Sequence, residues 1–139
     1  MEKLTYVYKN YEVTARFLKE VDGWEHEPKS RTASMHNRFL VTVKNKTTGI
    51  HRSFQFTDSA YNWQLGKDTL TADDLKAALA CLMSDASSGN LNFEEFCSEF
   101  GYDTDSRNVY AIYNDCKKQA DKAADLGLDP IEDYNELND

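Results

Sequence analysis

The chain has 139 residues, 40% hydrophobic and 12% aromatic, which suits one folded domain with a real core and excludes a disordered polymer. The net charge is −8, and it is uneven: residues 1–57 carry 10 Lys/Arg against 6 Asp/Glu, residues 58–139 carry 6 against 18. No apolar run reaches the roughly 18 residues of a membrane span, and MEKLTYVYKN lacks the apolar stretch of a signal peptide, so a cytoplasmic protein is expected.

The first half reads as strands. Tyr11–Leu18 alternates, with Tyr11, Val13, Ala15 and Phe17 on one face. Phe39–Lys44 and His51–Phe56 form the clearest pair, joined by Asn45-Lys46-Thr47-Thr48-Gly49, a turn with its glycine late. A three-stranded antiparallel sheet is expected. Polar residues 22–37, with Pro28, and residues 58–70 read as long loops.

The second half reads as helices. Thr71 and Asp74 form a capping box ahead of Leu75, Ala78, Leu79, Leu82 and Met83. Asn92 and Glu95 repeat that arrangement before a short helix whose apolar stripe is Phe93, Phe96, Cys97 and Phe100, ended by Gly101. A third helix begins at Asp103 or Thr104 and buries Val109, Ile112, Tyr113, Cys116, Ala120 and Ala123. Gly127 stops it, and Pro130 is read as forbidding a restart. The expected fold is therefore α+β over residues 1–128, a three-stranded antiparallel sheet (strands in 1–57) packed against three C-terminal helices (71–127). Residues 129–139 read as an acidic, partly disordered tail.

Ser84–Phe96, SDASSGNLNFEEF, imitates the second half of an EF-hand loop. With Gly89 at loop position 6, Glu95 falls correctly at position 12, but Ser84 and Ala86 occupy positions 1 and 3, where calcium needs oxygen ligands. A helix–turn–helix link explains the letters better: Gly89 as the turn, Asn92 and Glu95 as the cap, Leu91 and Phe96 as a hydrophobic staple. A calcium-binding helical module remains the alternative reading. Cys81, Cys97 and Cys116 fall on or beside apolar helix faces, where free cysteine is a small core residue. His26, His36 and His51 have no catalytic motif around them, and no phosphate loop, dinucleotide fingerprint or HExxH is present. No catalytic residue, cofactor or metal ligand is expected, and the chain does not read as an enzyme.

Between Asp85 and Asp105 every charged residue is acidic: Asp85, Glu94, Glu95, Glu99, Asp103 and Asp105. The apolar stripe of the short helix turns Glu94, Glu95 and Glu99 toward solvent. Such a row imitates the charge of a phosphate backbone, so it suits a basic nucleic-acid channel on another protein and repels nucleic acid itself. Trp24, Tyr61 and Trp63, in the loops, Tyr6, Tyr8 and Tyr11, near the first strand, and Tyr102, Tyr110 and Tyr113, near the third helix, are candidate anchors for a partner. Lys9, Arg16, Lys44, Lys46 and Arg52 are the only candidates for the rival reading, nucleic-acid binding by the sheet.

FEEFCSEFGYDTDSRNVYAIYNDCKKQADKAADLGL, residues 93–128, resembles a C-terminal segment of small phage and prophage proteins. DDLKAALACLMSDAS resembles the helix that precedes it, and FLVTVKNKTTGIHRSFQF suits the same family more loosely, so the resemblance covers roughly residues 38–128. It implies a phage accessory protein, most plausibly an anti-CRISPR protein that binds a bacterial defence effector complex inside the host cell and blocks its nucleic-acid site. The partner-binding residues expected are Glu94, Glu95, Glu99, Asp103, Asp105, Trp24 and Trp63. Specificity is expected in residues 22–37 and the tail, which the resemblance does not cover.

Overall fold

The computed structural model describes residues 4–22, 35–57 and 70–138. Four strands, β1 (Thr5–Tyr8), β2 (Tyr11–Asp22), β3 (Met35–Asn45) and β4 (His51–Thr57), form an antiparallel sheet in the order β1-β2-β3-β4. Among the described residues four helices follow: α1 (Ala72–Gly89), α2 (Phe93–Phe100), α3 (Arg107–Leu126) and α4 (Glu132–Leu137). The α+β class stands, with a fourth strand and a fourth helix beyond those expected.

The added strand is β1. Tyr8 pairs with Tyr11 across a tight link made by Lys9 and Asn10, and Lys9 takes φ 50° without being a glycine. That backbone costs a non-glycine residue about 1–2 kcal/mol, so no Asn-Gly signal announces this hairpin. β2 and β3 also run further than their apolar alternation. They stay paired to Asp22 and Met35 past an irregularity between Phe17 and Lys19, so His36 lies in a strand. Residues 23–34 and 58–69, most of the two expected loops, lie outside the described residues.

The β3–β4 link forms as its letters demand. Gly49 adopts φ 79°, and Asn45 Oδ1 accepts the amides of Thr47 and Thr48 at 2.9 and 3.2 Å. One face of the sheet presents Tyr8, Tyr11, Val13, Phe39, Val41, Val43 and Phe54 to a core shared with α1, α3, Leu128 and Leu137. α1 contributes Leu75, Ala78, Leu79, Leu82, Met83 and Ala86, each at most 1% exposed. Its start is the expected box, with Thr71 and Asp74 capping each other.

Gly89 is not the turn after α1 but its last residue. A Cβ there would sit 2.2 Å from the carbonyl oxygen of Cys116, so Gly89 is where α1 and α3 come close. The turn comes after it, at Asn90 and Leu91.

α3 starts at Arg107, after Ser106, rather than at Asp103 or Thr104. Val109, Tyr113, Ala120 and Ala123 are buried as expected, whereas Ile112, at the edge of the stripe, is 44% exposed. Residues 129–138, most of the expected tail, are held to the fold: Leu128 and Leu137 are buried, and α4 packs on α1. Pro130 opens this helical turn instead of preventing it. Asp129 Oδ1 accepts the amides of Ile131 and Glu132, and proline suits a first helical position because its missing N–H would have no partner there.

Candidate protein-docking site

α2 stands apart from the main core. Phe96, Cys97, Val109 and Tyr113 form a second, smaller buried cluster, flanked by Leu91, Phe93 and Cys116. Asn92 caps α2 by accepting the Glu95 amide at 2.8 Å, and its side-chain amide also donates to the Glu95 carboxylate. The helix ends on Gly101, in the left-handed region at φ 70°, with the Tyr102 amide donating to the Cys97 carbonyl at 2.8 Å. Tyr113 donates its hydroxyl to the Leu91 carbonyl at 2.6 Å and so ties α3 to the α1–α2 link.

This frame fixes where the acids go. With Phe96 and Cys97 inward, Glu94, Glu95 and Glu99 all lie exposed. Asp103 and Asp105 are exposed in the turn between α2 and α3, where Asp103 Oδ1 accepts the Asp105 amide at 3.0 Å. These five carboxylates belong to α2 and the turn that follows it, whereas Asp85 belongs to α1. Trp24 and Trp63, the other two expected contacts, lie outside the described residues.

Aromatic rings lie beside the acids. Phe100, expected in the buried stripe, is 47% exposed: it is the last helical residue, and none of the described residues buries it. Tyr102 and Tyr110 are 42% and 54% exposed. Phe100 and Tyr102 lean on the buried Phe96 with centroid distances of 5.0 and 5.9 Å, and Tyr110 meets Phe93 edge-on at 5.3 Å. Periodicity alone does not find this surface. The signal available was Glu99-Phe100-Gly101-Tyr102-Asp103, an aromatic on either side of a helix-ending glycine, each flanked by an acid.

The residues proposed for the rival nucleic-acid reading do not gather. Arg16 and Lys44 are exposed on the face of the sheet opposite the core, and Lys46 lies in the β3–β4 turn. Arg52 is in register with the buried Val43 and bonds to Asp125 of α3 at 3.1 Å. Lys9 is ion-paired to Glu136 and lies 3.5 Å from Asp133.

The EF-hand imitation fails geometrically. Ser84–Gly89 are helical, so half of the required loop cannot wrap a cation. Among the described residues, no group of three or more His, Cys, Asp or Glu is placed to hold a metal. Cys81 is exposed, against expectation, whereas Cys97 is buried and Cys116 partly so. Burial pushes the Cys116 thiol up to about 11 and also raises that of Cys97, which keeps both protonated and poorly nucleophilic at neutral pH. No helix among the described residues is long and apolar enough to cross a membrane.

A second polar cluster, which sequence reasoning missed, fastens the C-terminus. Tyr8 donates its hydroxyl toward Asp133 Oδ1 at 2.7 Å and Glu136 Oε2 at 2.8 Å, and Asp133 Oδ2 accepts the Asp129 amide at 2.7 Å. Burial, followed by the two carboxylates, raises the Tyr8 hydroxyl far above its ordinary value. No local pattern announces a pair separated by most of the chain.

Comparison with protein-family models, with curated proteins and with solved structures returns no match for this chain.

Proposed function

We propose that this protein is a non-catalytic inhibitor that docks its acidic α2 end on a basic, nucleic-acid-binding surface of another protein. The observation that carries the reading is the exposure of Glu94, Glu95, Glu99, Asp103 and Asp105 on one short helix and its following turn, with no Lys or Arg from residue 85 to 105. Such a surface accelerates encounter with a basic site and competes there with nucleic acid. The capped ends of α2 support it further, because pre-set carboxylates lose less freedom on binding.

The narrower reading follows from the resemblance of residues 93–128 to phage and prophage proteins. It makes the partner a bacterial defence effector of a CRISPR system, met in the cytoplasm of the infected cell. The test is a phage-plaquing assay in cells carrying one CRISPR type at a time, beside a defence-free control. Expression of the protein is expected to restore plaques in one type, and Glu94→Lys combined with Glu95→Lys and Glu99→Lys to abolish that rescue. Rescue that survives the triple reversal would sink the acidic-face mechanism. Absence of rescue in every type would sink the anti-CRISPR reading.

A further inference from the structure

Phe100 and Tyr102 lie either side of the left-handed Gly101, their ring centroids 6.2 Å apart and their planes inclined by 34°. Both rings rest on Phe96, which is 2% exposed, yet each keeps more than two-fifths of its own surface open. Apolar burial does not explain two open rings on a chain this acidic. Each is next in sequence to an exposed carboxylate, Glu99 before Phe100 and Asp103 after Tyr102.

We infer that the Phe100–Tyr102 pair is a docking surface for arginine side chains of a protein partner, with the guanidinium lying over the rings while Glu99 and Asp103 accept its N–H groups. This rests on the docking reading above and names the partner's contacting chemistry. Three considerations select arginine. The rings offer π faces, which attract cations, and the flanking acids give the surface the complementary charge. A guanidinium is planar and weakly hydrated, so it can stack on a ring and hydrogen-bond sideways to a carboxylate at once. An ammonium is compact and strongly hydrated and does the first less well. The same ring cluster already takes an internal cation, since the Lys117 ammonium lies 5.4 Å from the centre of Tyr113. Tyr113 in turn meets Phe96 at 5.2 Å with the planes inclined by 54°, so the open pair extends a cation-accepting surface.

The surface therefore differs from a pure phosphate imitation. Solvent-exposed carboxylates alone separate arginine from lysine only by the guanidinium's paired N–H groups, whereas rings beside them add a stacking contact that widens the preference for arginine.

The experiment titrates the intact protein with oligoarginine and with oligolysine of equal length, following backbone amide shifts. Oligoarginine is expected to bind roughly twofold to fivefold more tightly, the size of a cation–π preference at an open site. Its shifts should centre on residues 99–103. Phe100→Leu combined with Tyr102→Leu keeps apolar bulk, and an unchanged amide spectrum elsewhere checks that the variant folds. It should narrow the preference for arginine and leave weaker, salt-sensitive binding of both peptides. Equal affinity for the two peptides, or shifts centred on other acidic surfaces, would overturn the inference. This outcome is separable from that of the plaquing assay. Rescue lost on charge reversal but no arginine preference removes only the ring contact, and an arginine preference without rescue in any CRISPR type removes only the defence target.

Discussion

The hydroxyl of Tyr8 lies 2.7 Å from Oδ1 of Asp133, joining the first strand to the last helix. The same hydroxyl lies 2.8 Å from Glu136, and Lys9 pairs with both acids. Asp133 is 8% exposed, so its carboxylate oxygens are satisfied by these partners more than by water. Tyr8→Phe leaves the ring packed and removes only the donor. It should destabilise the protein by about 1.5–3 kcal/mol, the range for a hydrogen bond to a charged group. Amide exchange should localise the loosening to α4, with Leu137 losing protection before the sheet does. Equal loosening across the sheet would show that the clasp does not act locally.

The same cluster sets a pH dependence. Lys9, and then Tyr8, hold the Glu136 carboxyl below its ordinary 4.5. Its contribution is therefore present above about that value and is lost as pH falls through the lower folded value, because the unfolded chain takes up the proton first. Tyr8 and Lys9 shift the other way, upward from 10.0 and 10.5. Their contributions hold below those values and are lost as pH rises through the raised ones. Docking of α4 should weaken at both extremes. Denaturation midpoints followed against pH should fall less steeply in acid for Glu136→Gln than for the parent chain. An unchanged acid limb would remove Glu136 from the account.

Gly89 tests the approach of α1 to α3. In an open helix, replacing glycine by alanine gains about 1 kcal/mol. Here the new Cβ meets the Cys116 carbonyl at 2.2 Å and the Lys117 nitrogen at 2.7 Å, both of them backbone. The sign should reverse, with Gly89→Ala losing about 1–3 kcal/mol as in overpacked cores. Chemical denaturation decides it, and a more stable variant would mean that the two helices separate easily.

Asn45 and Tyr11 both donate to the carbonyl of Leu126, at 3.0 and 2.9 Å. Together they fasten the last turn of α3, ended by Gly127 at φ 81°, to one end of the two central strands. Asn45 also accepts from Asn10 at 2.9 Å and from the two turn amides, so Asn45→Ala should cost about 2–3 kcal/mol. Tyr11→Phe should cost about 1 kcal/mol. Because one acceptor serves both donors, the double variant should lose less than the sum. Strict additivity would mean that the two bonds act independently.

Much of this architecture is legible in the sequence because local rules decide it. Thr71 with Asp74, Asn92 with Glu95, and glycines 49, 101 and 127 each act within a few residues, and each element boundary they imply is found. The departures have particular causes. β1 hides because its turn strains Lys9 instead of using glycine. α4 was misjudged because Pro130 was read as a breaker, although Asp129-Pro130 followed by acids is a helix start. Gly89 looked like a turn, yet its smallness serves a helix crossing that only tertiary structure defines. Phe100 and Ile112 obey the helical period and are still open, because period locates a stripe and not the length of the surface that covers it.

That separation between local and tertiary control gives the last prediction. α2 depends on the small cluster around Phe96 and Tyr113, apart from the main core. Removing its cap by Asn92→Ala should cost about 1 kcal/mol. The loss should fall on α2 and its acids rather than on the whole domain, since weakly packed units open on their own. Hydrogen exchange is expected to quicken at Phe96 to Gly101 while Val13, Val41 and Leu79 keep their protection. The plaquing activity should fall with it, because Glu94, Glu95 and Glu99 would no longer be pre-set. Uniform quickening through α1 and the sheet would instead make α2 part of the global fold, and the docking face would then be as stable as the core beneath it.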